Sequence, residues 1–308
     1  MKADINRPLL LPAPLTSPAD LIATLAACTG DSPETARRRL LEESRCSGIN
    51  VRRDAEAFGL VPYVWSDRLL QFYGETPAFL YETAVWNRSP LKQSIRAWIA
   101  TLLQRHVPTG GRVLVYGDGL GFDSACLAAL GYAVTSLEPS RRGQQFAVEV
   151  FKRNNVAVRQ IAGDEEVPTE PFDAIVCLDV LEHVPAPPDT LRQFDRWLKP
   201  EGILAIAAPF FCIEPYRPTH LASNRKYSGS LSLFRKFGFR PLAGNYMWDP
   251  IAFRKGRPGR FADTLLIRLG QPLIATGRWL WPIHSQVARW MNRPERSWLR
   301  QLEGVRAG

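Results

Sequence analysis

Residues 112–121 read RVLVYGDGLG, an apolar run ending in three glycines at alternate positions, Gly117, Gly119 and Gly121. A strand rich in Val and Leu on both faces belongs in a parallel sheet covered by helices. Glycines at its carboxyl end let backbone N–H groups approach a ligand where a Cβ would collide. Residues 122–130 read as a helix, so strand, glycine turn and helix make one half of a nucleotide-binding βαβ unit.

Downstream the alternation continues. Tyr132–Leu137 is a second strand closed by Glu138-Pro139-Ser140, a helix follows over Arg142–Arg153, and Val156–Ile161 is a third strand ended by Gly163-Asp164. Phe172–Leu178 is a fourth strand running into Asp179-Val180-Leu181-Glu182-His183, with a helix over Pro188–Leu198. Pro200-Glu201-Gly202 turns the chain into a fifth strand, Ile203–Ala208. This order predicts an α/β, Rossmann-like, doubly wound and mostly parallel sheet whose ligands gather at the carboxyl ends of the strands. The glycines, Glu138, Asp164 and Asp179 each follow a different strand and so face one rim. Beyond Pro209 the pattern loosens into a loop, Phe210–Tyr227, carrying His220. A helix over Ser228–Phe237 and a closing antiparallel pair, Phe239–Ala243 with Ile251–Phe253, are expected after it.

Upstream, Ser17-Pro18 and Ser32-Pro33 each place a capping serine before a proline at the first helical position. Ile95, Trp98, Ile99, Leu102 and Leu103 recur at helical spacing between Ser89 and His106, and Leu60–Trp65 is an irregular aromatic stretch. The expected organisation is a leader and helical addition over 1–107, the sheet domain over 108–256 and a basic, Trp-rich helical tail over 257–308. Tyr73, Phe79, Tyr81 and Trp86 form either the wall of a substrate cavity or an aromatic core.

The 308 residues carry five cysteines with no C-x-x-C pair, which argues against structural zinc or a disulfide framework and suggests a reducing cytosol. The proline-broken start reads as a flexible leader, not a signal peptide, and no uncharged run reaches the roughly 18 residues that span a bilayer. Of the formal charge of +9, six units come from residues 257–308, with nine arginines against Asp263, Glu295 and Glu303. The near balance of the remainder argues against a nucleic-acid groove through the sheet domain. The tail interleaves arginine with Trp279, Trp281, Trp290 and Trp298, which suits an anionic membrane surface; the alternative is a helix packing on the domain. The expected location is cytoplasmic, peripheral to the inner face of a membrane through this tail.

Two ligands compete for the glycine loop. Dinucleotides favour G-x-G-x-x-G, whereas this loop is G-x-G-x-G and contains Asp118, poorly placed beside a pyrophosphate but tolerated by a cationic sulfonium. Glu138 can hold a ribose in either case.

The segments VYGDGLGFDSACLAALGYAVTSLEPS, AGDEE, FDAIVCLDVLEHVPAP and LKPEGILAIAAPF resemble class I S-adenosylmethionine-dependent methyltransferases of the small-molecule type, similar to those of the ubiquinone and menaquinone pathways. The resemblance implies a seven-stranded sheet with S-adenosyl-L-methionine over strands one to four. The backbone of Gly117, Gly119 and Gly121 would hold the methionine part, Glu138 the ribose and Asp164 the adenine amino group, with Asp179 near the sulfonium; Tyr116, Asp118 and Pro139 complete the set. One position departs: the family acid two residues before the first glycine is Val115 here, so its contact to the cofactor's amino group is missing or supplied elsewhere, with Asp118 as a candidate.

Methyl transfer to a hydroxyl needs alignment and a base. His183, near the rim, is the leading candidate for that base, with a loop-fixing histidine as the alternative, and His220 is a weaker one. Asp179, Glu182 and His183 also form D-x-x-E-H, a spacing able to hold a divalent ion, and the resemblance extends to quinone O-methyltransferases thought to use a metal there. Two carboxylates and a histidine are also common without an ion, and no metal is assigned. The resulting expectation is methyl transfer to a small or lipid-linked acceptor, at oxygen. The other reading is a non-catalytic S-adenosylmethionine-binding or regulatory protein, motivated by Val115.

Overall fold

The computed structural model describes residues 8–245, 248–256 and 296–304. Six helices come first: α1 (Pro18–Thr29), α2 (Pro33–Arg45), α3 (Ile49–Phe58), α4 (Asp67–Glu75), α5 (Ala78–Arg88) and α6 (Pro90–His106). Ser17 and Ser32 cap α1 and α2 by accepting from the amides of Asp20 and Thr35, with proline in the first turn of each. Ser89 caps α6 in the same way through the Lys92 amide.

The sheet domain follows as β1 (Arg112–Tyr116), α7 (Phe122–Ala129), β2 (Ala133–Leu137), α8 (Arg141–Arg153), β3 (Val158–Ile161), β4 (Phe172–Leu178), α9 (Pro187–Trp197) and β5 (Leu198–Ala207). Then come α10 (Leu231–Arg235), β6 (Phe239–Asn245), β7 (Trp248–Lys255) and α11 (Arg296–Gly304). The seven strands lie in the order β3-β2-β1-β4-β5-β7-β6. β1 to β5 pair in parallel, and β7 runs antiparallel to both β5 and β6. This is the Rossmann-like arrangement the alternation predicts.

Alternate residues of the central strands feed two cores. Val113, Val115, Val134, Ala174 and Val176 meet Ile95, Ile99 and Leu103 of α6 and Leu127 of α7. Leu114, Ile175, Cys177, Leu204 and Ile206 meet Leu191 and Phe194 of α9. Burial on both faces explains why these strands read as unbroken apolar runs. A third core joins the helical addition to the domain, since Leu21, Leu25, Leu40 and Tyr81 pack with Phe122 and Phe146.

Two alternatives left open by the sequence are decided at single residues. Tyr81 is fully buried and bonds Asp31 Oδ2 at 2.7 Å, so it belongs to the core and lines no cavity. Trp298 is also buried, with Arg88 over its ring at 3.6 Å and Leu302 beside it in the same core. It therefore leaves the set of tryptophans offered to a membrane; Trp279, Trp281 and Trp290 lie outside the described residues. Leu302→Ala is expected to cost about 2 kcal/mol, the low end for a buried leucine because a terminal helix can partly collapse onto the gap. Urea denaturation measures this. Among the described residues no helix is long and apolar enough to cross a membrane.

Candidate active site

The three loop glycines take left-handed φ values of 74°, 66° and 82°. At Gly117 an added Cβ would lie 2.4 Å from Val180 Cγ2, so the tip of β4 packs directly on the loop. At Gly121 it would lie 2.7 Å from Ala147 Cβ, which makes this glycine a contact between α7 and α8. Glu138, at the tip of β2, accepts from the amides of Gly119 and Ser140, each at 2.8 Å. Pro139 forms that turn, and Ser140 caps α8. Burial pushes the Glu138 carboxyl up to about 7 despite the two N–H groups. Asp164, half-buried after β3, lies near Tyr116 and Gln193, and burial raises its pKa. The Tyr116 ring meets Phe194 edge-on at 5.0 Å.

Asp118 turns away from the loop. Its oxygens accept from the amides of Asp123 (3.2 Å) and Ser124 (3.0 Å), capping α7 where Gly121 has no side chain to do so. Burial and the charge of Asp123 push it up to about 6. Asp123 meets Lys92 at 3.0 Å and Arg96 at 2.8 Å. Burial opposes its ionisation, but the two cations outweigh this and bring it down to about 2. Lys92 also lies 3.6 Å from Asp179, which accepts from Trp86 Nε1 at 2.9 Å and has a left-handed φ of 58°. Thr83 of α5 approaches Gly119, where an added Cβ would stand 3.3 Å from its methyl group. Two helices of the N-terminal addition thus contact the loop and the β4 tip. Val115 is buried in the sheet core and offers the loop nothing polar.

Beyond the β4 tip a second group of side chains, the histidine chamber, gathers around His183. His183 Nδ1 is 2.9 Å from Tyr73 Oη and 3.2 Å from the Thr219 carbonyl. Its ring meets His220 edge-on at 4.6 Å, and Phe79 stacks on Tyr73 at 5.1 Å. Burial brings His183 down to about 4 and His220 well below the usual imidazole range, so both are neutral at pH 7. Glu182, His183 and His220 each bring one ligand atom within 4.8 Å of the others, a trio able to hold a cation. Asp179 is not a member, being turned to Trp86 and Lys92.

A family model described as a methyltransferase domain matches residues 88–243. The chain belongs to the methyltransferase domain family. Protein-L-isoaspartate O-methyltransferase of Chlorobium luteolum is 31% identical over 220 residues, covering 69% of this chain and 92% of the relative. Ubiquinone biosynthesis O-methyltransferase of Pseudomonas fluorescens is 38% identical over 98 residues, covering 30% of this chain and 42% of the relative.

The methyltransferase takes S-adenosyl-L-methionine as cofactor, and its residues suit that group. An ionised carboxylate has about four acceptor sites; Glu138 uses two on backbone N–H groups and would have the others for the paired hydroxyls of a ribose. Lys92 and Arg96, which a pyrophosphate would recruit, are committed to Asp123. The structure brings Tyr116, the glycines, Glu138, Pro139, Asp164 and Asp179 to one rim, and turns Asp118 into α7.

Sequence reading misses Lys92, Arg96 and Thr219, and offers Tyr73 and Trp86 only as cavity wall or aromatic core without their partners His183 and Asp179. Lys92 and Arg96 had a signal: they lie four residues apart among Ile95 and Ile99 on the buried stripe of α6, where cations imply buried acids. Tyr73 and Thr219 reach His183 across a large separation in sequence, which no local pattern encodes.

Proposed function

We propose that the methyltransferase moves the methyl group of S-adenosyl-L-methionine to an oxygen of a small or lipid-linked acceptor held against His183. The observation that carries this is the place of the His183 imidazole next to the glycine loop, since Val180 packs against Gly117 and His183 follows three residues later. Both relatives named above are O-methyltransferases.

When bound, the cofactor supplies a methyl group activated by a positive sulfur. The chain's part is to align and to manage one proton. His183 Nδ1 faces the Thr219 carbonyl, which can only accept, and the Tyr73 hydroxyl, which can accept or donate; the tautomer with its proton on Nδ1 satisfies both and has Nε2 as the basic nitrogen. An acceptor hydroxyl attacking the methyl carbon, with the carbon–sulfur bond breaking and its electron pair leaving on sulfur, would give its proton to Nε2. Glu182 Oε1, 3.9 Å away, favours the imidazolium that results. Helices α4 and α5 supply Tyr73 and Phe79, which pack beside the imidazole.

Incubation with methyl-labelled cofactor and a panel of phenols, carboxylic acids and peptides tests this; label is expected on hydroxylated aromatics. Val115, with Asp118 committed to α7, favours a second reading, a cofactor-binding protein without turnover. Saturable cofactor binding without transfer to any of the panel would establish that reading instead. Glu138→Gln is expected to weaken cofactor binding by about 30-fold, the scale of a lost charge-assisted pair. Titration calorimetry reads it, and wild-type binding near pH 6.5 should release protons as ribose hydroxyls favour the ionised carboxylate.

A further inference from the structure

Among the described residues, four of the five exposed large hydrophobic side chains fall in one short strip, the fifth being Val148 on α8. Val61 is 71%, Val64 52%, Trp65 38% and Leu70 59% exposed. Large hydrophobics facing water this close together mark a contact surface more often than isolated ones do.

The strip is held rigidly against the acceptor chamber. The Tyr63 amide donates to the Pro218 carbonyl at 2.7 Å, and the Tyr63 carbonyl accepts from the Ala222 amide at 2.9 Å. These two bonds bracket Thr219 and His220, both in the chamber. Leu70 lies one turn of α4 before Tyr73, whose hydroxyl contacts His183. The same two pieces of chain therefore contact the His183 group and carry the apolar strip.

We propose that Val61, Val64, Trp65 and Leu70 dock on an anionic phospholipid bilayer, placing the acceptor chamber at the membrane surface. This deepens the reading of the chamber as an acceptor site and rests on it. Charge supports the bilayer as occupant. Arg225 and Lys226, both exposed, lie on the helical turn Ala222–Tyr227 that Tyr63 bonds. Asp67, the one acid between residues 60 and 73, is adjacent to Arg68. Apolar side chains with a tryptophan and flanking cations match a headgroup layer, where rings sit at the interface and cations meet phosphate. A two-fold dimer across the same face would set these cations against their copies.

The full chain is sedimented with vesicles of phosphatidylcholine alone or with about one-third phosphatidylglycerol, a composition chosen for its surface charge. Binding is expected to the anionic vesicles and to fall steeply with salt. Trp65→Ser with Leu70→Ser should lower it at least about tenfold. Arg225→Gln with Lys226→Gln should lower it about fivefold for each cation. Both variants should keep wild-type turnover on a soluble acceptor. His183→Gln should bind vesicles as wild type does, so failure of docking and failure of the acceptor reading are separable. Equal binding by wild type and both variants would overturn the proposal. So would a wild-type dimer that Trp65→Ser with Leu70→Ser converts to monomer with no change on vesicles.

Discussion

His183→Gln is expected to lower kcat by about two to three orders of magnitude, the usual contribution of a positioned general base, while leaving cofactor affinity within about twofold. The split follows from geometry. His183 lies beyond the β4 tip, bonded to Tyr73 and the Thr219 carbonyl, whereas the rim proposed for the cofactor is that of Glu138, Asp164 and the glycines. Glutamine keeps polarity and approximate length but cannot take a proton near neutral pH. Calorimetry and single-turnover kinetics on one preparation give both numbers. A kcat within threefold of wild type would reduce His183 to a residue that merely fixes the loop.

The pH dependence has a definite sign. Burial lowers His183 from an ordinary value of 6.5 to about 4 and lowers His220 as well. A histidine held neutral by the fold contributes stability that is complete above 6.5 and is lost as pH falls through the folded value. Wild-type stability should therefore decline from about pH 6.5 towards 4, and less steeply in His183→Gln. Thermal unfolding across that range tests it. Turnover should be level between about pH 6 and 8 as far as this imidazole is concerned.

Legibility from sequence follows the physical origin of each element. β1 and β4 agree to the residue because burial on both faces leaves unbroken apolar runs with abrupt polar ends. β5 begins at Leu198, before the expected Ile203, because a bulge absorbs the turn: pairing jumps from Phe172–Leu198 to Ala174–Ile203, and Glu201 takes a φ of 61°. α3 and α5 escape notice because Gly48 and Pro77, at their starts, offer no side-chain cap. α4 has such a cap in Ser66, but it follows directly on the irregular aromatic stretch that hides it. Of the site, the rim is legible since strand ends converge by topology alone. The chamber is not, because Tyr73, His183 and Thr219 meet only after the helical addition folds back over β4. Asp118 shows the limit in the other direction: its place between glycines suggests a ligand, but the nearest unsatisfied groups are the first amides of α7, and they capture it.

Asp123→Asn should produce the largest loss of stability, about 3–5 kcal/mol, as expected when one partner leaves a buried ionic network. Lys92 is 4% and Arg96 2% exposed, and Asp123 is the carboxylate that both contact. Arg96 would keep the Leu10 carbonyl and Asn87, but neither neutralises its charge. The expected fall in Tm is about 6–12 °C. Asp118→Asn makes the contrast, since its carboxyl is raised to about 6 and acts mainly as a helix cap, so its loss should cost about 1 kcal/mol. The pH signatures also differ. Asp123, depressed to about 2, contributes stability present above its ordinary 3.8 and lost as pH falls through 2. Asp118, being raised, contributes most at low pH and less as pH climbs through 6. Removing Lys92 as well as Asp123, with methionine at 92, should recover part of the loss, because a neutral pair replaces an unpaired buried cation. The same double variant frees Asp179 from its cation and leaves it the Trp86 indole, so cofactor affinity reports whether Lys92 also positions the β4 tip. A loss below about 1 kcal/mol for Asp123→Asn would mean that water already reaches this cluster and the roof over the loop is open.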